Sequence, residues 1–205
     1  LEELEKAVCS NTAGVILETI PATLGVVAPD VGYLKSVKEI CEKNSCLLIL
    51  DEVQTGFGRT GKFWGFENYD VKPDIVVMGK GMSGGIYPIS ATVYDEKYKD
   101  FFKEDPFVHI STFGGSEIGC FAAMKVIEIS KEKKFLDHVL SLGDFFWQRL
   151  EALGKKYPNL GLKLKGRGMM MGLEFKDEIT ALFLIKILFD NGIYVVYAGN
   201  DQRVI

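Results

Sequence analysis

Lys80 is the residue whose setting most suggests chemistry. It lies in "DIVVMGKGMSGG" (Asp74–Gly85), between two glycines and just past an apolar run. The local pattern gives it no acidic partner. Glycines on both sides remove bulk around the amine, and a lysine held in such a site can act as a nucleophile. The alternative is an exposed lysine whose stem covers apolar surface, the usual fate of this residue. A second polar group ends another apolar run. In "LLILDEVQ", Asp51 follows Leu50 directly and Gln54 stands three residues on. A lone carboxylate at a buried strand end needs a partner, because its burial is costly. A protonated heteroaromatic nitrogen would be one, and Gln54 would then donate to an oxygen on the same ring. Equally, Asp51 could bond the backbone N–H groups of its own loop.

The glycines after Asp51 allow two further readings. Gly56, Gly58 and Gly61 spell GxGxxG, but in a dinucleotide fold the first glycine leaves the strand directly and the third opens a helix. Here Asp51–Thr55 intervene, and "KFWGFENYD" is a poor helix. Gly56–Lys62 also spell GxxxxGK, yet Phe63 occupies the position where Ser or Thr must ligate magnesium. A nucleotide-binding module on the Gly56–Gly61 loop is therefore the weaker alternative. The pairing of Lys80 with Asp51 fits better. An amine that condenses with a carbonyl, with an Asp for a pyridinium nitrogen, is the protein's part in pyridoxal 5'-phosphate (PLP) chemistry.

The elements that must position these groups follow from the apolar pattern. "AGVILE" (13–18), "CLLIL" (46–50), "DIVVM" (74–78) and "ISATVY" (89–94) read as strands. "CLLIL" has the continuous apolar run of a parallel strand buried on both faces. Leu34, Val37, Ile40 and Cys41 recur at helical spacing, with Asp30 as the expected cap. Alternation of strand and helix predicts an α/β sheet, whose ligands sit beyond the carboxyl ends of the strands. Glu18, Asp51 and Lys80 all stand at such ends. Ser116–Ser130 reads as a buried helix, apolar nearly all round. A second long helix carries Phe135, Val139, Leu142, Phe146, Leu150 and Leu153 on one stripe, and "KYPNLG" ends it. Beyond it, "LKLKGRG" and "MMMGLEF" read as short strands about a turn. Asp177 caps a helix that Gly192 terminates, and "IYVVYAG" reads as a final strand. The predicted organisation is a larger α/β unit over residues 1–158 and part of a smaller α+β unit over 159–205.

Composition excludes several classes. The 205 residues carry a net charge of −4, with 47% hydrophobic and 25% charged residues, as in ordinary globular chains. That balance gives no electrostatic case for nucleic acid or an anionic membrane. No apolar run approaches the roughly 20 residues of a membrane span. The four cysteines lack CxxC spacing and read as small buried hydrophobes in a reducing, cytoplasmic compartment. His109 and His138 are isolated, so no metal site is expected.

Three motifs taken together carry a resemblance. "LLILDEVQTGFGRTGKFWGFE", "KPDIVVMGKGMSGGIYPISA" and "HISTFGGSEIGC", in that order, resemble the class III aminotransferases, of PLP fold type I. The resemblance runs from about Ala13 to the end of the chain. It implies that Lys80 is the Schiff-base lysine and general acid/base, and that Asp51 pairs with the pyridine nitrogen. It further implies that Val53 packs on a ring face and that Gln54 bonds the ring hydroxyl. Thr112 resembles the threonine that crosses a homodimer interface to the phosphate of the partner's PLP. The implied activity moves an amino group between an amine or ω-amino acid and a 2-oxo acid or aldehyde. Aminomutases and racemases of the same family are the alternative.

The chain departs from the family pattern in three places. "ETIPAT" puts Thr23 where many members have a glutamate that pairs with a late arginine, which leaves substrate choice open. Glu117 stands where many have proline, for which a helix-start acid is sufficient reason. The family's phosphate-binding turn and its ring-covering aromatic have no counterpart in the sequence, nor does the late arginine. The chain is thus expected to be a fragment, weak or inactive alone.

Overall fold

The computed structural model describes residues 1–105 and 107–205. A short helix α1 (Glu2–Ala7) precedes strand β1 (Gly14–Glu18), and helix α2 (Tyr33–Lys43) leads into β2 (Leu47–Asp51). Strands β3 (Ile75–Met78) and β4 (Ala91–Tyr94) complete a four-stranded sheet in the order β1-β2-β3-β4. The first three strands are parallel and β4 is antiparallel at the edge. Glu18 pairs with Asp51, and Asp51 with Val77, so all three parallel strands end at one level. The apolar face of α2, Leu34, Val37, Ile40 and Cys41, packs on Val15, Leu48 and Leu50.

Two expectations for this region need correction. Strand β2 is not buried equally on both faces: Leu48 and Leu50 are fully buried, but Leu47, Ile49 and Asp51 only half. In β1, Ile16 is 62% exposed, because α2 covers only the opposite face. Asp30 does not cap α2 with its side chain. Gly32, at φ 91°, occupies the cap position, and the Asp30 carbonyl accepts the Tyr33 N–H at 3.1 Å.

A one-turn helix α3 (Phe101–Glu104) precedes α4 (Glu117–Ser130) and the long α5 (Lys133–Lys156). Helix α4 has the expected bounds but not the expected burial. Gly119, Ala123 and Ser130 are buried, whereas Ile118, Phe121 and Met124 are 63–70% exposed. Its small residues lie against the turn after β3, and its large ones face away from this chain. Of the expected α5 stripe only Val139 is buried; Phe135, Leu142 and Leu150 are half-buried, and Phe146 and Leu153 are exposed. Strands β5 (Lys163–Arg167) and β6 (Met170–Glu174) form the expected hairpin. Helix α6 (Glu178–Asp190) is capped by Asp177, whose Oδ1 accepts the Thr180 N–H at 2.7 Å.

The predicted last strand, "IYVVYAG", does not form. Residues 203–205 take the free edge of β6 instead: Leu173 N–H donates to the Ile205 carbonyl at 2.8 Å, and Phe175 N–H to the Arg203 carbonyl at 2.9 Å. With β5 on one edge and this segment on the other, the hairpin has no place left for residues 193–197. The cysteine expectation holds only in part. Cys41 and Cys46 are buried, Cys9 is exposed and Cys120 intermediate. Burial and the neighbouring Cys46 push the Cys41 thiol up to about 12.

The glycine cluster forms a packed joint. Gly61, at φ 85°, lies so close to α5 that a Cβ there would come within 2.2 Å of Leu140. Gly168, in the β5–β6 turn at φ 60°, is pressed to within 2.7 Å of the Thr60 carbonyl carbon by the same measure. The Met169 N–H donates to the Arg59 carbonyl at 3.0 Å, and Arg167 Nε to Asn68 Oδ1 at 2.8 Å. No helix opens after Gly61; the next element is a 3-10 turn over Gly65–Tyr69. Neither nucleotide motif therefore has the helix N-terminus it needs.

Candidate active site

Strand β2 delivers Asp51 to the carboxyl edge of the sheet. The carboxylate is half-buried, and its Oδ1 accepts the Val53 N–H at 2.8 Å. That bond is the loop-capping role foreseen for an aspartate here, and it leaves the other oxygen free to face a ligand. Strand β3, the neighbour of β2, delivers Lys80 to the same edge. The chain leaves Met78 through Gly79, in extended conformation, and enters a 3-10 turn over Lys80–Ser83. Lys80 itself has φ 43°. A side-chain-bearing residue in the left-handed region costs of order 1 kcal/mol, and such residues cluster at functional sites. Lys80 is exposed and has no ion-pair partner among the described residues.

The surroundings bring some predicted residues together and not others. Lys80 and Gln54 line one 540 Å³ cavity, which Thr23, Arg59, Met170 and Tyr197 also border. Val53 lies against the backbone just before Lys80: a Cβ on Gly79 would meet Val53 Cγ2 at 3.7 Å. Asp51 reaches the same edge by strand register but does not border the cavity. Thr112 sits apart, exposed in the turn before α4.

Sequence reasoning missed Glu52. It is fully buried and accepts hydrogen bonds from the Thr19 hydroxyl, from Gly65 N–H at 2.7 Å and from Phe66 N–H at 3.0 Å. Its own N–H donates to the Val77 carbonyl at 2.8 Å. Burial pushes the carboxyl up, against the lowering effect of Thr19 and the two backbone donors. Glu52 thus ties the ends of β1 and β3 and the 65–66 turn to the residue that follows Asp51. Alternation was the available signal. Asp51 and Val53 are half-buried, and the residue between them points the other way, into the protein.

A family model for class-III aminotransferases matches residues 1–205. The chain belongs to the class-III aminotransferases. An uncharacterized aminotransferase of Archaeoglobus fulgidus is 46% identical over 203 residues, which cover 99% of this chain and 48% of that protein. A putrescine aminotransferase of Pectobacterium atrosepticum is 37% identical over 193 residues, 94% of this chain and 41% of the relative. This class-III chain therefore spans about half the length of the curated relatives it matches. Among solved structures, an ornithine aminotransferase of Toxoplasma gondii, described with partial occupancy of PLP at its active site, superposes with a TM-score of 0.89. It is 34% identical, over 98% of this chain and 47% of that one. The fold is the PLP fold type I of that structure, and class-III aminotransferases are PLP-dependent.

The residues present fit that cofactor. An aldehyde needs an accessible, unpaired amine, and Lys80 is one. A protonated ring nitrogen needs a carboxylate with a free oxygen, and Asp51 has one. A flat ring needs an apolar wall, which Val53, beside Gly79, could supply.

Proposed function

We propose that the protein transfers an amino group between an amine or ω-amino acid and a 2-oxo acid or aldehyde. The observation that carries this reading is the position of Lys80: an exposed, unpaired amine held in a left-handed turn, one strand from Asp51. Lys80 would hold the cofactor covalently, Asp51 its ring nitrogen, Gln54 its ring hydroxyl, and Val53 one face. Bound there, PLP supplies an electron sink conjugated to the substrate nitrogen. The chain's own part is proton handling and charge placement. Lys80 Nζ takes the proton from the substrate carbon and returns it, as both base and acid. The Asp51 carboxylate keeps a proton on the ring nitrogen, where negative charge would otherwise accumulate.

Thr112 is assigned to the phosphate of a partner's cofactor in a homodimer. Its exposure in the turn before α4 supports this, as does the exposed apolar surface around it at Ile110, Phe113 and Phe121. Aminomutase and racemase chemistry would use the same cofactor-holding residues, and product analysis separates them. Borohydride reduction of the full-length protein with PLP, followed by peptide mass analysis, tests the reading. A pyridoxyl mass on the Lys80 peptide is expected; the same mass on another lysine, or on none, would overturn the assignment.

A further inference from the structure

The reading above gives Arg59 no role, yet its position is closely specified. The loop that carries it is fixed on both sides: Gly58 N–H donates to the Phe63 carbonyl at 3.1 Å, and the Arg59 carbonyl accepts Met169 N–H at 3.0 Å. Its side chain points toward the residue after Lys80, since a Cβ on Gly81 would meet Arg59 Nη2 at 3.8 Å. Arg59 borders the 540 Å³ cavity together with Lys80, and among the described residues no acidic one borders it. Among the described residues Arg59 forms no ion pair. The carboxylates behind the cavity are already engaged. Glu174 holds Lys165 at 2.8 Å, and Asp201 holds Arg203 at 2.8 Å. The cavity therefore presents two cations, neutral donors at Gln54 and Thr23, and apolar walls at Met170 and Val196.

We propose that Arg59 binds the carboxylate of the amino acceptor, a 2-oxo acid, in the cavity beside Lys80. A guanidinium fork matches a carboxylate with two parallel hydrogen bonds. The proposal rests on the aminotransferase reading for the identity of the acceptor, but the anion site rests on Arg59 and its cavity alone.

The test compares Arg59→Gln and Arg59→Lys in the full-length, PLP-loaded protein, with pyruvate and propanal as acceptors. Propanal has the same carbon count and no carboxylate. In Arg59→Gln, kcat/KM for pyruvate is expected to fall about tenfold to a hundredfold, while propanal changes by less than about twofold. Arg59→Lys should recover part of the loss, since the charge remains and the fork does not. Equal losses on both acceptors would overturn the proposal. A second measurement needs no turnover: calorimetric binding of succinate, which cannot be transaminated, should weaken in Arg59→Gln by a similar factor. Succinate binding indifferent to Arg59 would also overturn the proposal. A protein that transaminates nothing yet binds succinate through Arg59 would refute the aminotransferase reading and leave the anion site standing.

Discussion

At the amino end of the sheet the Asp74 carboxylate, 6% exposed, is saturated by its own chain. Lys38 donates at 2.6 Å, Leu48 N–H at 2.9 Å, Lys97 at 3.0 Å and the Tyr98 hydroxyl at 3.1 Å. At the carboxyl end Asp51 accepts one backbone N–H, and Lys80 has no charged partner among the described residues. The same strands, a few residues apart, thus end in a closed polar network and in an open one. A closed network stabilises, because each buried polar group has its partner. An open one contributes little to stability and leaves its hydrogen-bonding capacity for a ligand. The difference separates a charge engaged by its own chain from charges left with capacity for a ligand, on a single sheet.

The contrast can be broken from either end. The largest effect is expected at Lys80. Lys80→Ala should cut turnover by about a thousandfold or more, with thermal stability almost unchanged. Unimpaired turnover would remove the basis for the whole assignment. Asp74→Ala should do the reverse, lowering unfolding free energy by about 2–4 kcal/mol with kcat retained below the melting transition. Denaturant unfolding measures it; a loss confined to kcat would contradict the comparison. Acid titration sharpens it. Burial pushes Asp74 up, but Lys38, the Leu48 N–H, Lys97 and Tyr98 outweigh it and hold the carboxyl well below its usual range. A carboxyl depressed in the folded state stabilises above its unfolded pKa, so that contribution is lost as pH falls below about 4. Asp74→Asn should therefore lose less stability than the wild type over that acid range. The smallest effect is expected at Thr23, which borders the Lys80 cavity. Thr23→Glu should shift the preference between glutamate and alanine as partners by a few-fold, by bringing a carboxylate near Arg59. An unchanged ratio would show that this position does not read substrate charge.

The placement of Asp51 and Lys80 at the carboxyl edge of the sheet is legible because the signal is local: a charged residue directly after an apolar run, or one glycine beyond it, where parallel strands end. That of Glu52 is not, although it is the more deeply buried acid. Its partners, Thr19, Gly65 and Phe66, lie 13 to 33 residues away and meet it only in the folded chain. Helix α4 shows the limit of hydrophobicity as a guide to burial. Its sequence is apolar on all sides, but this chain covers only the side with Gly119 and Ala123. The strand expected at "IYVVYAG" failed for a related reason. Propensity can nominate a strand but cannot say which segment will claim the free edge of β6, and residues 203–205 claim it.

The contact between Gly61 and Leu140, and that between Gly168 and Thr60, bear on how variants of this protein would be interpreted. In a random-mutagenesis survey scored by growth, both glycines would rank beside Lys80 as intolerant, and a ligand role for the glycine loop would look justified. The two kinds of damage part at the level of material recovered. Crowding at Gly61 or Gly168 should deplete soluble yield, whereas loss of Lys80 should leave abundant protein that does nothing.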